Sequence, residues 1–159
     1  MYIIDEKYYN KKEATSRCEN YLKTSNVFFT DGSFEKGNLN GGYGIIHLGK
    51  NTFEKSGIAK ATSPIEMELQ AIKHTLLYIN ANKNNIDNIV IFNDCLCAIS
   101  KLKKYIDNPN NHSEILKEIA FLLDSLKEKN LLICWLKKET IHYHEKVDSL
   151  SKSARMKQK

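Results

Sequence analysis

The chain has no apolar run approaching the roughly 20 residues that cross a bilayer as a helix, so a helical membrane span is not expected. Its two prolines and seven glycines are too few and too scattered for a low-complexity segment, and no internal repeat is visible. Four cysteines, Cys18, Cys95, Cys97 and Cys134, lack the paired spacing of a zinc site. The first residues carry no secretory apolar core, and reduced thiols in a cytoplasmic protein are the expectation. Gly41, Gly42 and Gly44 match neither G-x-G-x-x-G nor a P-loop, and they lie between strands, so they read as turn and packing glycines rather than a phosphate cradle.

What is present fits one domain. At 159 residues the chain can bury well over half the surface of its unfolded form. Twenty-four Lys and Arg against 19 Asp and Glu leave a formal charge of +5, which mildly favours a polyanionic partner. Residues 1–25 are polar and lack a sustained apolar stripe, although Tyr8, Tyr9, Cys18, Tyr21 and Leu22 could dock elsewhere; they read as an appendage to a domain over residues 26–157. From Asn26 three antiparallel strands follow, over 27–30, 42–48 and 52–59. Ser63-Pro64-Ile65-Glu66 supplies a cap, a first-turn proline and a capping-box glutamate. The stripe Ile65, Leu69, Ile72, Leu76, Ile79 then lays a helix against the sheet. A buried strand over 88–93, a helix through Leu96 to Ile106, a break at Asn108-Pro109, a helix through Ile115 to Leu126, a strand over 131–136 and a final helix through Val147 to Ala154 complete the chain.

Asp31, Glu68, Asp94 and Asp148 fall where strands and helices meet. Carboxylates gathered from separate elements are costly to hold together without positive charge between them, and hard oxygen ligands suit Mg²⁺ or Mn²⁺. Singly, each has a plainer role: Asp31 a turn residue, Glu68 a surface glutamate, Asp94 and Asp148 helix caps. Together they point to metal-dependent phosphodiester chemistry.

The element order, with acids at those four points, resembles type 1 ribonuclease H across about Asn26 to Arg155. The resemblance is carried by Thr30-Asp31-Gly32-Ser33 with Gly41-Gly42-Tyr43-Gly44, by Met67-Glu68-Leu69, by Phe92-Asn93-Asp94, and by Trp135 followed by Glu145-Lys146-Val147-Asp148-Ser149-Leu150. It implies an α/β fold with a five-stranded mixed sheet, three antiparallel strands then two parallel, flanked by helices. It further implies a monomeric endonuclease that hydrolyses the RNA strand of RNA·DNA hybrids with two divalent ions, Mg²⁺ or Mn²⁺, about 4 Å apart. In that resemblance Asp31 bridges both ions, Glu68 and Asp94 complete one coordination shell and Asp148 the other. Gly32, Ser33 and Asn93 contact substrate, and 2′-hydroxyls are read across a shallow minor groove.

Two departures stand out. The family carries a mobile histidine in a glycine-containing loop before the last acid; here 137–145 has no glycine, and either His142 or His144 takes that role from a shifted position or both are bystanders. The segment between Asp94 and Trp135 lacks the basic, tryptophan-rich handle of some members, so substrate grip is expected to be weak or salt-sensitive. With Cys95 standing where the family commonly has serine, two other readings stay open. One is a catalytically altered module that binds nucleic acid or a protein. The other is a nuclease of a mobile-element or defence system on the same fold.

Overall fold

In the computed structural model, which describes residues 1–49, 52–110, 113–137 and 142–157, the chain forms a six-stranded mixed sheet with helices on both faces. In chain order the elements are β1 (Tyr2–Asp5), α1 (Lys11–Thr24), β2 (Asn26–Ser33), β3 (Asn40–Leu48), β4 (Phe53–Lys60), α2 (Pro64–Ala81), β5 (Ile89–Asn93), α3 (Leu96–Asp107), α4 (Glu114–Ser125), β6 (Leu131–Trp135) and α5 (His142–Met156). The strands lie in the order β1-β6-β5-β2-β3-β4. β2, β3 and β4 form an antiparallel meander, and β5, β6 and β1 continue from β2 in parallel.

The alternation of side chains along the strands separates two cores. Phe28, Ile45, Ile89, Ile91 and Ile133 face α2, α3 and α4, where they meet Ile72, Leu76, Ile99, Leu102 and Ile119. Val27, Phe29, Ile46, Val90, Phe92 and Cys134 face the other way, against Ala14 and Cys18 of α1 and Val147 of α5. The α2 stripe read from spacing is the buried one, and Ser63 caps that helix by accepting from the Glu66 amide at 3.1 Å. The Glu66 carboxylate accepts from the Thr62 hydroxyl rather than closing a reciprocal box.

Three features differ from the sequence reading. The sheet has six strands, not five, because Tyr2–Asp5 pairs in parallel with β6 along its edge. Residues 1–25 also supply α1, which packs on the same face of the sheet as α5, toward its parallel half; Asn10 and Glu13 start that helix with a capping box. Thirdly, β2 runs through Ser33, so Asp31 lies inside the strand, opposite Gly44, instead of in a turn.

Candidate active site

The β2–β5 ladder stops at Phe29 and Phe92, while β2 continues four residues further against β3 alone. The notch so left beside Thr30 to Ser33 is where the acids gather. Asp31 comes from the exposed flank of β2, Glu68 from the first turns of α2, and Asp94 from the residue after β5. One carboxylate oxygen of each lies within 4.8 Å of the others. Asp148, on α5, brings its carboxyl against Asp31 from the opposite face, so the four acids expected from the sequence share one locus.

Glu68 and the backbone at Asp94 are held by main-chain or side-chain hydrogen bonds, and Asp148 by an ion pair. The Gly32 N–H donates to Glu68 Oε1 at 2.6 Å, and Asn93 Nδ2 approaches the same oxygen at 3.4 Å while donating to Thr30 O at 3.1 Å. Asn93 Oδ1 accepts the Cys95 amide at 2.8 Å, which fixes the chain leaving β5 around Asp94. The Trp135 indole N–H donates to Asp94 O at 3.2 Å. Asp148 pairs with Lys152 one helical turn later, Nζ to Oδ2 2.8 Å.

Close backbone approach makes this convergence possible. A Cβ on Gly32 would stand 2.5 Å from Met67 O, so glycine lets the start of α2 lie against β2 and present Glu68 beside Asp31. On the other face a Cβ on Gly42 would come within 2.1 Å of Ser151 O, so glycine lets α5 cross β3 closely enough to bring Asp148 over β2.

The electrostatics are those of an anionic pocket. Burial, then the charges of Glu68 and Asp94, hold the Asp31 carboxyl far above the usual carboxylate range. Burial and the Asp94 charge raise Glu68 as well, against the opposing pull of the Asp31 contact and the Gly32 amide. No hydrogen-bond donor among the described residues reaches Asp31 Oδ2, although that atom is buried. A buried carboxylate oxygen without a donor, among further carboxylates, is the environment that a hard divalent cation completes, and the donor set fits Mg²⁺ or Mn²⁺.

The other expected residues are placed differently. Gly32 and Ser33 lie in the strand beside Asp31, with Ser33 nearly buried. Asn93, expected among the substrate contacts, is fully buried and spends its amide on Thr30, Glu68 and the Cys95 backbone, so it orients the acids from beneath. His142 and His144 fall at the start of α5, and their side chains lie outside the described residues, as does the preceding segment 138–141. Lys152 and the indole of Trp135 are site residues that the sequence did not single out for these contacts; the i,i+4 spacing of Asp148 and Lys152 was the available signal for the first.

No curated protein matched the chain. The ribonuclease H family model matches residues 23–155, which takes in every element from β2 to α5 and all four acids, and so the chain belongs to the ribonuclease H family.

Proposed function

We propose that the protein is an endonuclease that hydrolyses the RNA strand of RNA·DNA hybrids and acts as a monomer. The observation that carries this reading is the meeting of Asp31, Glu68 and Asp94 from three separate elements, with a buried Asp31 oxygen that no donor among the described residues satisfies. Structural acids have no electrostatic reason to converge in this way. Two divalent ions held by Asp31, Glu68, Asp94 and Asp148 would supply water activation and stabilisation of the leaving oxygen.

The chain's own groups keep the site ready for that chemistry. Gly32 and Asn93 fix Glu68, Trp135 and the Cys95 amide fix the backbone at Asp94, and Lys152 steadies Asp148 through its ion pair. Residues held by packed elements on both faces need little rearrangement to receive a phosphodiester. The stretch of β2 beyond β5 leaves the notch open along one side, and through it the RNA strand would reach the acids.

The test is incubation with sequence-matched RNA·DNA, RNA·RNA and DNA·DNA duplexes in Mg²⁺ and in Mn²⁺. The reading expects cleavage of the RNA strand of the hybrid alone. Cleavage confined to another duplex would assign a different nuclease activity to the same site. Binding without cleavage of any duplex would favour the non-catalytic module.

A further inference from the structure

Residues 6–10 link β1 to α1 as an irregular strap across the carboxyl end of the sheet, and every neighbouring contact pins it. Asp5 Oδ1 accepts the Lys7 amide at 2.9 Å, and Asp5 Oδ2 accepts the Tyr9 hydroxyl at 2.7 Å. The Arg17 guanidinium lies 4.2 Å from the centre of the Tyr9 ring. Glu6 accepts the Ser100 hydroxyl at 2.6 Å and pairs with Lys103 at 3.7 Å, which ties the strap to α3. Asn10 ends the strap as the cap of α1.

Of the two tyrosines in this strap, Tyr9 is buried and Tyr8 turns outward, with 54% of its surface exposed. Its ring lies on Trp135, centroids 5.9 Å apart at 50°. Trp135 is in turn bound through its indole N–H to the backbone of Asp94. An aromatic pair therefore stands beside the backbone that carries Asp94, on the side of the sheet where parallel strands end. Lys7 is exposed beside it and Lys103 lies below it. The chain between Asp94 and Trp135 carries no tryptophan, and its aromatics are Tyr105 and Phe121.

We propose that Tyr8 and Trp135 form a platform that packs against the sugar of a nucleotide flanking the phosphodiester at the acids, so that the N-terminal strap is part of the nucleic-acid grip. This rests on the nuclease reading above. Aromatic faces suit that task because every nucleotide offers an apolar sugar edge, whatever its base, and the contact is sequence-tolerant. Lys7 adds attraction to the adjoining phosphate.

Trp135 is the chain's only tryptophan, so its emission reports on the platform itself. The 1–159 chain with Asp31→Asn, expected to leave the hybrid uncut, is titrated in Mg²⁺ with a matched RNA·DNA hybrid. Saturable quenching of Trp135 is expected, and Tyr8→Ala in the same background should raise Kd about tenfold, the scale of losing one aromatic contact to nucleic acid. With Asp31 intact, Tyr8→Ala should raise KM for the hybrid by a similar factor with kcat unchanged, and Tyr8→Phe should restore KM. Should Tyr8→Ala melt below the parent, Tyr8→Leu, which keeps apolar bulk on Trp135 without an aromatic face, decides the matter by the same KM and Kd comparison. Parent-like Kd and KM in the Tyr8 variants of a chain that cuts hybrid overturn the platform and leave the nuclease reading intact. A folded parent that neither cuts nor binds hybrid overturns both.

Discussion

Replacing Asp31 with Asn changes one oxygen for an amide and leaves the volume of the side chain intact, which isolates its charge from its packing. If the four acids hold two cations, Asp31→Asn should lower hydrolysis of hybrid by about 10³-fold or more while the fold persists, because an amide cannot bridge two ions. Steady-state cleavage and circular dichroism on the same preparation check both halves. The same crowding of charge predicts that Asp94→Asn melts higher than the parent in EDTA, since the Asp94 carboxylate is one of the charges opposing ionisation of Asp31 and Glu68. Mg²⁺ should raise the parent's melting temperature more than the variant's, by mass action at the same acids. A third residue-scale prediction concerns His74, whose ring stacks on Tyr43 at 4.2 Å. Burial, then the Lys73 and Lys55 charges, lowers its pKa from 6.5 to about 4. Between those values the unfolded chain takes up a proton that the native imidazole refuses, so the unfolded state binds more protons and stability rises with pH. The stability is present above pH 6.5 and lost as pH falls toward 4. His74→Phe, which keeps a ring on Tyr43, should therefore lose less stability than the parent between pH 7 and pH 5 in urea titrations.

The crossing of α5 over β3 decides, at the scale of elements, whether Asp148 reaches Asp31. Gly42→Ala would set a methyl 2.1 Å from Ser151 O and 2.4 Å from the Arg155 nitrogen, both backbone atoms that cannot swing aside. The helix has to lift, which should cost about 1–3 kcal/mol as overpacking does elsewhere and should lower kcat although Gly42 touches neither metal nor substrate. Denaturant melts and cleavage rates together test this; a Gly42→Ala chain with parental values of both would mean that α5 can move without carrying Asp148 away. This dependence also explains what was readable beforehand. The glycines at 41, 42 and 44 could be recognised as packing positions because no phosphate motif claimed them, but their partners, Met67 of α2 for Gly41 and α5 for Gly42 and Gly44, are tertiary facts. The α2 stripe and its Ser63 cap were legible because they are local and periodic. The reach of β2 to Ser33 was not legible, since Asp-Gly-Ser reads as a turn in isolation and is held extended only by β3 lying opposite. The acids were legible as a set from the motifs around them, although only Asp94 stands at an element boundary and Asp31, Glu68 and Asp148 lie inside β2, α2 and α5. The burial of Asn93 beneath them depends on how β5 ends against β2 and leaves no mark in the sequence.

At the scale of the whole molecule, the first 25 residues are built into the sheet and its cover more than their composition suggests. They were expected as an appendage because a four-residue strand and a helix with only Ala14 and Cys18 fully buried carry little periodic signal. The Asn10 and Glu13 capping spacing was the available clue. On the face of the sheet away from α2, α5 lies over β2, β3 and β4, and α1 with Tyr9 lies against the side that holds Val90, Phe92 and Cys134. Tyr21 meets the Phe92 ring at 6.3 Å, and β1 closes the open edge of β6 through its ladder from Tyr2 to Asp5. Removing residues 1–25 would return several large apolar side chains to water at about 1.5–3 kcal/mol each and bare a strand edge, against a total stability of about 5–15 kcal/mol for a domain of this kind. The expected outcome is loss of cooperative melting or a melting temperature at least ~15 °C lower for the 26–159 chain, with aggregation on concentration. Mg²⁺ should recover only part of that loss, because ion binding at the acids adds about 3 kcal/mol even at a hundredfold excess over Kd, less than the burial removed. A 26–159 chain that melts cooperatively within a few degrees of the parent would show that the other elements cover the parallel half of the sheet by themselves, and that β1 and α1 serve substrate grip alone.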